Sequence, residues 1–183
     1  MATRSLPADH CADEVGEGAG RINDHQLTVL AASLADVVQL AGGWLFDQAR
    51  AGWDVDVWVP GRFDRRPLTI LGAGCLDGDS GSVLRDVPHT GALAVTADLP
   101  RVDPDVRALV LESARRATSE VTVLGAWPAE LGGPVDPAEH RLSVAARAFK
   151  ALALSAASVA GDVIATETLY EVRAEALRPL YPV

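Results

Sequence analysis

Arg62, Phe63, Arg65 and Arg66 fall within one short stretch of a chain that otherwise carries more acid than base. Guanidinium forks match the oxygens of phosphate and carboxylate, and a neighbouring aromatic ring suits a planar ligand or a partner surface. The stretch reads as a loop between Pro60 and Pro67 and is a first candidate for capturing a ligand or a partner. The second candidate lies near residue 140. On a helix starting at Asp136 and Pro137, His140, Ser143, Arg147 and Lys150 share about a third of the wheel, away from a stripe through Leu142 and Phe149. That makes a basic face. Trp127 lies in the loop before it, after an apolar strand at Val121 to Leu124, and ligands of open α/β sheets gather beyond strand carboxyl ends. Trp127, His140, Arg141 and Arg147 thus outline an expected pocket for an anionic metabolite or nucleotide.

Other motifs carry less. LGAGCLDGDSGS (71–82) is glycine-rich, but Leu76 to Ser82 show no helical period, and the only lysine, Lys150, lies far downstream. A phosphate loop needs a strand running into a helix, so the segment reads as a plain loop. Asp77 and Asp79 resemble the opening of a calcium loop, yet Pro88 stands where its bidentate glutamate belongs. Asp54 and Asp56 share one strand face, where carboxylates protect an exposed edge more readily than they hold magnesium. No GxSxG or HExxH occurs, and Cys11 and Cys75 lack a metal-binding spacing. Neither a metal nor a cofactor is expected.

These residues sit in 183 positions with 16 basic and 25 acidic side chains, a formal charge of -9 that disfavours nucleic acid as a partner. With 49% hydrophobic and 22% charged residues the composition is globular. The polar, acidic start shows no secretory pattern, and no apolar run reaches the ~20 residues of a membrane helix. A cytoplasmic protein without a membrane partner is expected. Residues 1–21 read as a disordered acidic tail, and 22–183 as a single α/β domain.

Leu27, Leu30, Ala31, Leu34, Val38, Ala41 and Leu45 recur at helical spacing, with Gly42 and Gly43 marking a bend or close packing. Trp53 to Val59 alternate as a strand at or near an edge. The segment ARAGWDVDVWV resembles the helix-to-strand turn of Rossmann-like folds, in which a glycine precedes a short valine-rich strand. Leu68 to Leu71 read as the next strand, which so short a loop joins only in antiparallel fashion. The arginine loop and the Gly72 to Ser82 loop would then lie at opposite sheet ends. Further strands are expected at 83–87 and 91–97, and helices at 103–118, after Asp136, and at 167–177. The sum is an α/β fold with a mixed, partly antiparallel sheet of about four or five strands packed by three or four helices.

Without a complete catalytic motif, the leading expectation is a non-catalytic interaction or regulatory protein acting through protein contacts or oligomerisation. Trp58, Trp127 and Tyr170 would serve as exposed anchors. The alternative is a small enzyme or binding protein for an anionic metabolite or nucleotide.

Overall fold

The computed structural model describes residues 25–88, 91–116, 119–132 and 135–172. The expected tail, and with it His10 and Cys11, lies outside the described residues, as does His89. In chain order the elements are β1 (Gln26–Leu30), α1 (Leu34–Arg50), β2 (Asp54–Trp58), α2 (Arg66–Leu71), β3 (Gly74–Cys75), α3 (Ser80–Asp86) and β4 (Gly91–Thr96). They continue with α4 (Leu99–Val102), α5 (Pro104–Arg116), β5 (Ser119–Leu124), a 3-10 turn (Ala129–Leu131), β6 (Ala138–Arg141), α6 (Val144–Ala156) and β7 (Thr166–Val172).

The seven strands form one sheet in the order β3-β2-β1-β4-β5-β7-β6. The first five are mutually parallel, and β7 runs antiparallel to both β5 and β6. Alternate residues of the parallel strands feed two apolar clusters, one per face. Leu27, Val29, Val55 and Val57 pack with α1, α2 and α6. Leu93, Val95, Val121 and Val123 pack with α3 and α5. Among the described residues no helix is long and apolar enough to cross a membrane.

The α/β class holds, but among the described residues seven strands and six α-helices replace the four or five strands and three or four helices expected. Each difference has a local cause. Leu27 to Leu30 is buried on both faces, so the run lacks the alternation that separates a strand from a helix. The segment after Asp136 forms β6, and the helix waits for Ser143, whose side chain accepts from the Ala146 N–H. Of the residues read as a final helix at 167–177, those from 167 to 172 belong to β7, and the rest lie outside the described residues. There an inward glutamate interrupts the otherwise β-prone Thr166, Thr168, Leu169, Tyr170 and Val172.

Two further corrections decide where the loops meet. Residues 66–71 are a helix, with Pro67 in its first turn, Leu68 and Leu71 buried three apart, and Gly72 closing it at φ 77°. Residues 59–73 therefore form a full crossover, and β2 and β3 are parallel rather than a hairpin. Residues 80–86 are likewise a helix, capped by Asp79, in place of the strand expected at 83–87. The 71–82 segment thus does run from a strand into a helix.

Lys150 of α6 and Glu167 of β7 form a buried ion pair against the backbone of α1. The Gly43 and Trp44 N–H groups donate to the two carboxylate oxygens of Glu167, at 2.9 and 2.7 Å. Lys150 Nζ donates to the Gln39 carbonyl and to Glu167, each at 2.6 Å. A side chain inserted into a helix's hydrogen-bond ladder opens it locally. Lys150 and Glu167 are buried, so the basic face expected around residue 140 loses its lysine. It also loses His140, which belongs to β6.

β2 sits second from the sheet edge, and its Asp56 pairs in register with buried Thr28. Burial, followed by the charge of Asp54, pushes the Asp56 carboxyl above the ordinary carboxylate range. A raised folded-state value means that stability is full below the unfolded value, about 3.9, and is lost as pH rises through the folded one. Asp56→Asn is accordingly expected to melt higher than the natural chain at pH 7. Its advantage should shrink as pH falls toward 3, which differential scanning calorimetry across that range will check.

Candidate functional site

Register places the carboxyl ends of β1 to β5 along one sheet edge, since Leu30 pairs with Trp58 and Val95, Val57 with Cys75, and Thr96 with Leu124. Loops beyond such ends form the binding sites of open parallel sheets, above all where the strand order reverses. The reversal here falls between β1 and β4. Ser33 caps α1 at that point, accepting from the Asp36 N–H at 3.1 Å and donating to Asp36 Oδ2 at 2.6 Å. The buried Thr96 hydroxyl accepts from the Ala32 N–H at 3.0 Å and ties the two strand ends together.

Beside it, at the ends of β2 and β3, a cavity of about 360 Å³ opens between the 59–65 and 76–79 loops. Its walls include Arg62, Phe63, Arg65, Cys75 and Asp77. Arg65 pairs with Asp77 across the two loops. Trp58 Nε1 donates to the Gly78 carbonyl at 3.1 Å, and the Leu76 N–H to the Val57 carbonyl at 3.0 Å, holding the second loop against the first strand. The two loops expected at opposite ends of the sheet thus share one site, because the segment between them is a helical crossover. Trp58 is 4% exposed and belongs to the core, not to a surface anchor.

Burial pushes the Cys75 thiol above its ordinary range; Arg65 works against this, while Asp77 and Asp56 add to it. The thiol stays protonated at neutral pH, which suits a cavity wall rather than a nucleophile. Asp77 is engaged by Arg65 and Asp79 caps α3, so neither is poised for a cation. Among the described residues no three His, Cys, Asp or Glu side chains come together as a metal site.

The remaining expected residues scatter. Arg66 begins α2 with its N–H on Asp64 and lies outside the cavity wall. Trp127 bonds the Gly132 carbonyl at 3.4 Å and leans on Tyr170, ring centres 6.1 Å apart. Arg141 and Arg147 are exposed. His140 Nε2 meets Asp47 Oδ2 at 3.0 Å, and Ser143 Oγ donates to Asp47 Oδ1 at 2.7 Å. This Ser, His and Asp set lacks the bond a hydrolytic triad needs, between hydroxyl and imidazole. Instead both side chains converge on the carboxylate. Burial raises the Asp47 carboxyl, but the bonds from Ser143 and His140 together outweigh it and hold it below the usual range. The cluster braces α6 and β6 against α1. Asp47 lies 14 residues beyond Ser33, about 20 Å along the helix axis, so this brace and the β1 strand end are separate places. Among the described residues no hydrogen bond or ion pair joins Trp127 to His140, Arg141 or Arg147, the four residues expected to outline one pocket.

A larger cavity, about 460 Å³, opens at the amino-terminal side of β5 and is lined by Gln48, Glu120, Thr122 and Glu171 among others. Among the described residues of its wall the charged ones are Glu120 and Glu171.

No family model matches the chain, and no curated protein matches it in sequence. Solved structures do share its fold. The A40926 pseudoaglycone deacetylase Dbv21 is 15% identical, with a TM-score of 0.57 over 81% of this chain and 97% of that one. A deacetylase of teicoplanin biosynthesis, solved with teicoplanin, is 14% identical, with a TM-score of 0.55 over 81% of this chain and 98% of that one. GalB, the 4-carboxy-2-hydroxymuconate hydratase of Pseudomonas putida KT2440, is 14% identical, with a TM-score of 0.50 over 86% and 97%. Identities this low establish the fold alone. The solved structures that match are enzymes by name, and this corrects the expectation of a non-catalytic interaction or regulatory protein with its emphasis on oligomerisation.

Proposed function

We propose that the chain is a small enzyme or binding protein for an anionic metabolite or nucleotide, with its ligand seated at the carboxyl ends of β2 and β3. The observation that carries this reading is the cavity lined by Arg62, Phe63 and Arg65, in a protein of net charge -9. Two guanidinium groups at one strand end give this acidic molecule a local place where an anion can be bound. The relatives in fold are enzymes acting on small molecules by name, which supports placing this chain among them.

A thermal-shift screen of anionic metabolites tests the reading. Saturation at 100 times Kd adds about 2.7 kcal/mol, on the order of 5–10 °C for a chain of this length. Arg62→Glu is expected to abolish that shift while leaving the unliganded melting temperature unchanged. Absence of any shift across the screen, or a shift that survives Arg62→Glu, counts against the site.

A further inference from the structure

The two guanidinium groups of the cavity at the ends of β2 and β3 differ in what they touch. Among the described residues Arg62 has no ion pair, whereas Arg65 is held by Asp77 from the facing loop. The side chains of that pair are 57% and 75% exposed, so it is a contact in water. Neither loop depends on it. Around Asp77 the backbone is fixed by the Leu76 N–H on the Val57 carbonyl and by the Trp58 indole on the Gly78 carbonyl. Asp79 adds a third tie, accepting from the Ser82 N–H at 2.9 Å. Arg65 is fixed where α2 begins, its carbonyl accepting from the Thr69 N–H at 3.1 Å. The pair can therefore open by rotation of exposed side chains alone, with both backbones in place.

We infer that Asp77 is an internal competitor of the ligand: its carboxylate occupies Arg65 until an anion that meets Arg62 and Arg65 together takes its place. The inference rests on the anionic-ligand reading above and adds to it how the site is regulated. An aspartate oxygen on a guanidinium uses the same planar donors that a ligand carboxylate or phosphate would use, so the two cannot share them in full. An exposed pair of this kind is worth no more than about a fivefold change in an equilibrium. A ligand with several oxygens can displace it, and the displacement lowers the measured affinity by that factor. Asp77 thus sets how tightly the site holds its anion without holding the loops together.

Isothermal titration of the full chain with inorganic pyrophosphate, whose two phosphoryl groups can meet both arginines, tests this. Asp77→Asn is expected to bind it about threefold to fivefold more tightly than the natural chain. Adding Arg65→Gln to Asp77→Asn should return the affinity to about the natural level, since neither chain then carries net charge from this pair. Asp54→Asn removes the same charge at the far end of β2. That position lies about 13 Å along the strand from Trp58, beyond the Debye length of about 8 Å at physiological salt, and its substitution should leave the affinity unchanged. Equal or weaker binding by Asp77→Asn, while the natural chain binds, overturns the competition and leaves the anionic-ligand reading standing. A gain that survives Arg65→Gln, or recurs in Asp54→Asn, does the same, because the effect then does not pass through the pair. Binding by neither the natural chain nor Asp77→Asn overturns both.

Discussion

Lys150→Met is expected to destabilise the chain by about 3–5 kcal/mol and to lower its melting temperature by about 10 °C. Lys150 is 2% exposed and Glu167 equally so, and among the described residues their 2.6 Å bridge is the glutamate's only ion pair. Methionine matches the length and packing of the lysine stem, so the change isolates the charge. It leaves a buried carboxylate with the Gly43 and Trp44 N–H groups alone, and strips the Gln39 carbonyl of its donor. Adding Glu167→Gln removes the stranded charge, so the double variant should regain part of the loss. It will not regain all of it, because one amide oxygen replaces two acceptors for two N–H groups. Chemical denaturation of the three variants gives the coupling directly, and a single-site loss below about 1 kcal/mol would mean that the pair holds nothing in place.

Gly43→Ala should cost about 1–3 kcal/mol, the range of overpacking. A Cβ there would stand 2.5 Å from Leu142 Cδ2 and 3.0 Å from its Cγ, so the leucine must move as a whole. Leu142 is 5% exposed and its N–H is fixed to the Ala165 carbonyl at 2.9 Å, leaving it little freedom. Leu142→Ala alone opens a cavity worth about 2–5 kcal/mol. The double variant places the new methyl in that space, and its measured loss should fall short of the two single losses combined. Simple additivity in a denaturation cycle would show that the two residues do not touch.

The same turn of α1 shows what could and could not be read in advance. Gly42 and Gly43 marked a bend or close packing from their type alone, and the structure shows the close packing. The partners that make it close, Leu142, Lys150 and Glu167, are about 100 or more residues away, and no local pattern announces them. Lys150 misled for that reason: a lysine on a helix reads as solvated until its buried partner is known. β1 was hidden by double burial, and α2 by being six residues long with a β-branched isoleucine. Mistaking α2 for a strand turned a parallel crossover into a hairpin and parted two loops that share a cavity. The arginine loop itself was legible, because three arginines beside a phenylalanine in an acidic chain stand out by composition. The 76–79 half of the site was not, since its role depends on β3, a strand of two residues. Ser143 carried a visible signal as an N-cap three positions before Ala146, but the Asp136 and Pro137 pair, which obeys the same rule, came first in the chain.

Backbone amide chemical-shift mapping during titration with the anion that gives the largest thermal shift tests the central claim, that the ligand site lies at the carboxyl ends of β2 and β3. The largest shifts are expected at Gly61, Phe63, Cys75 and Gly78, the backbone that frames the cavity. Shifts concentrated instead at 119–122 and 169–172, around the acidic cavity beside β5, would contradict it.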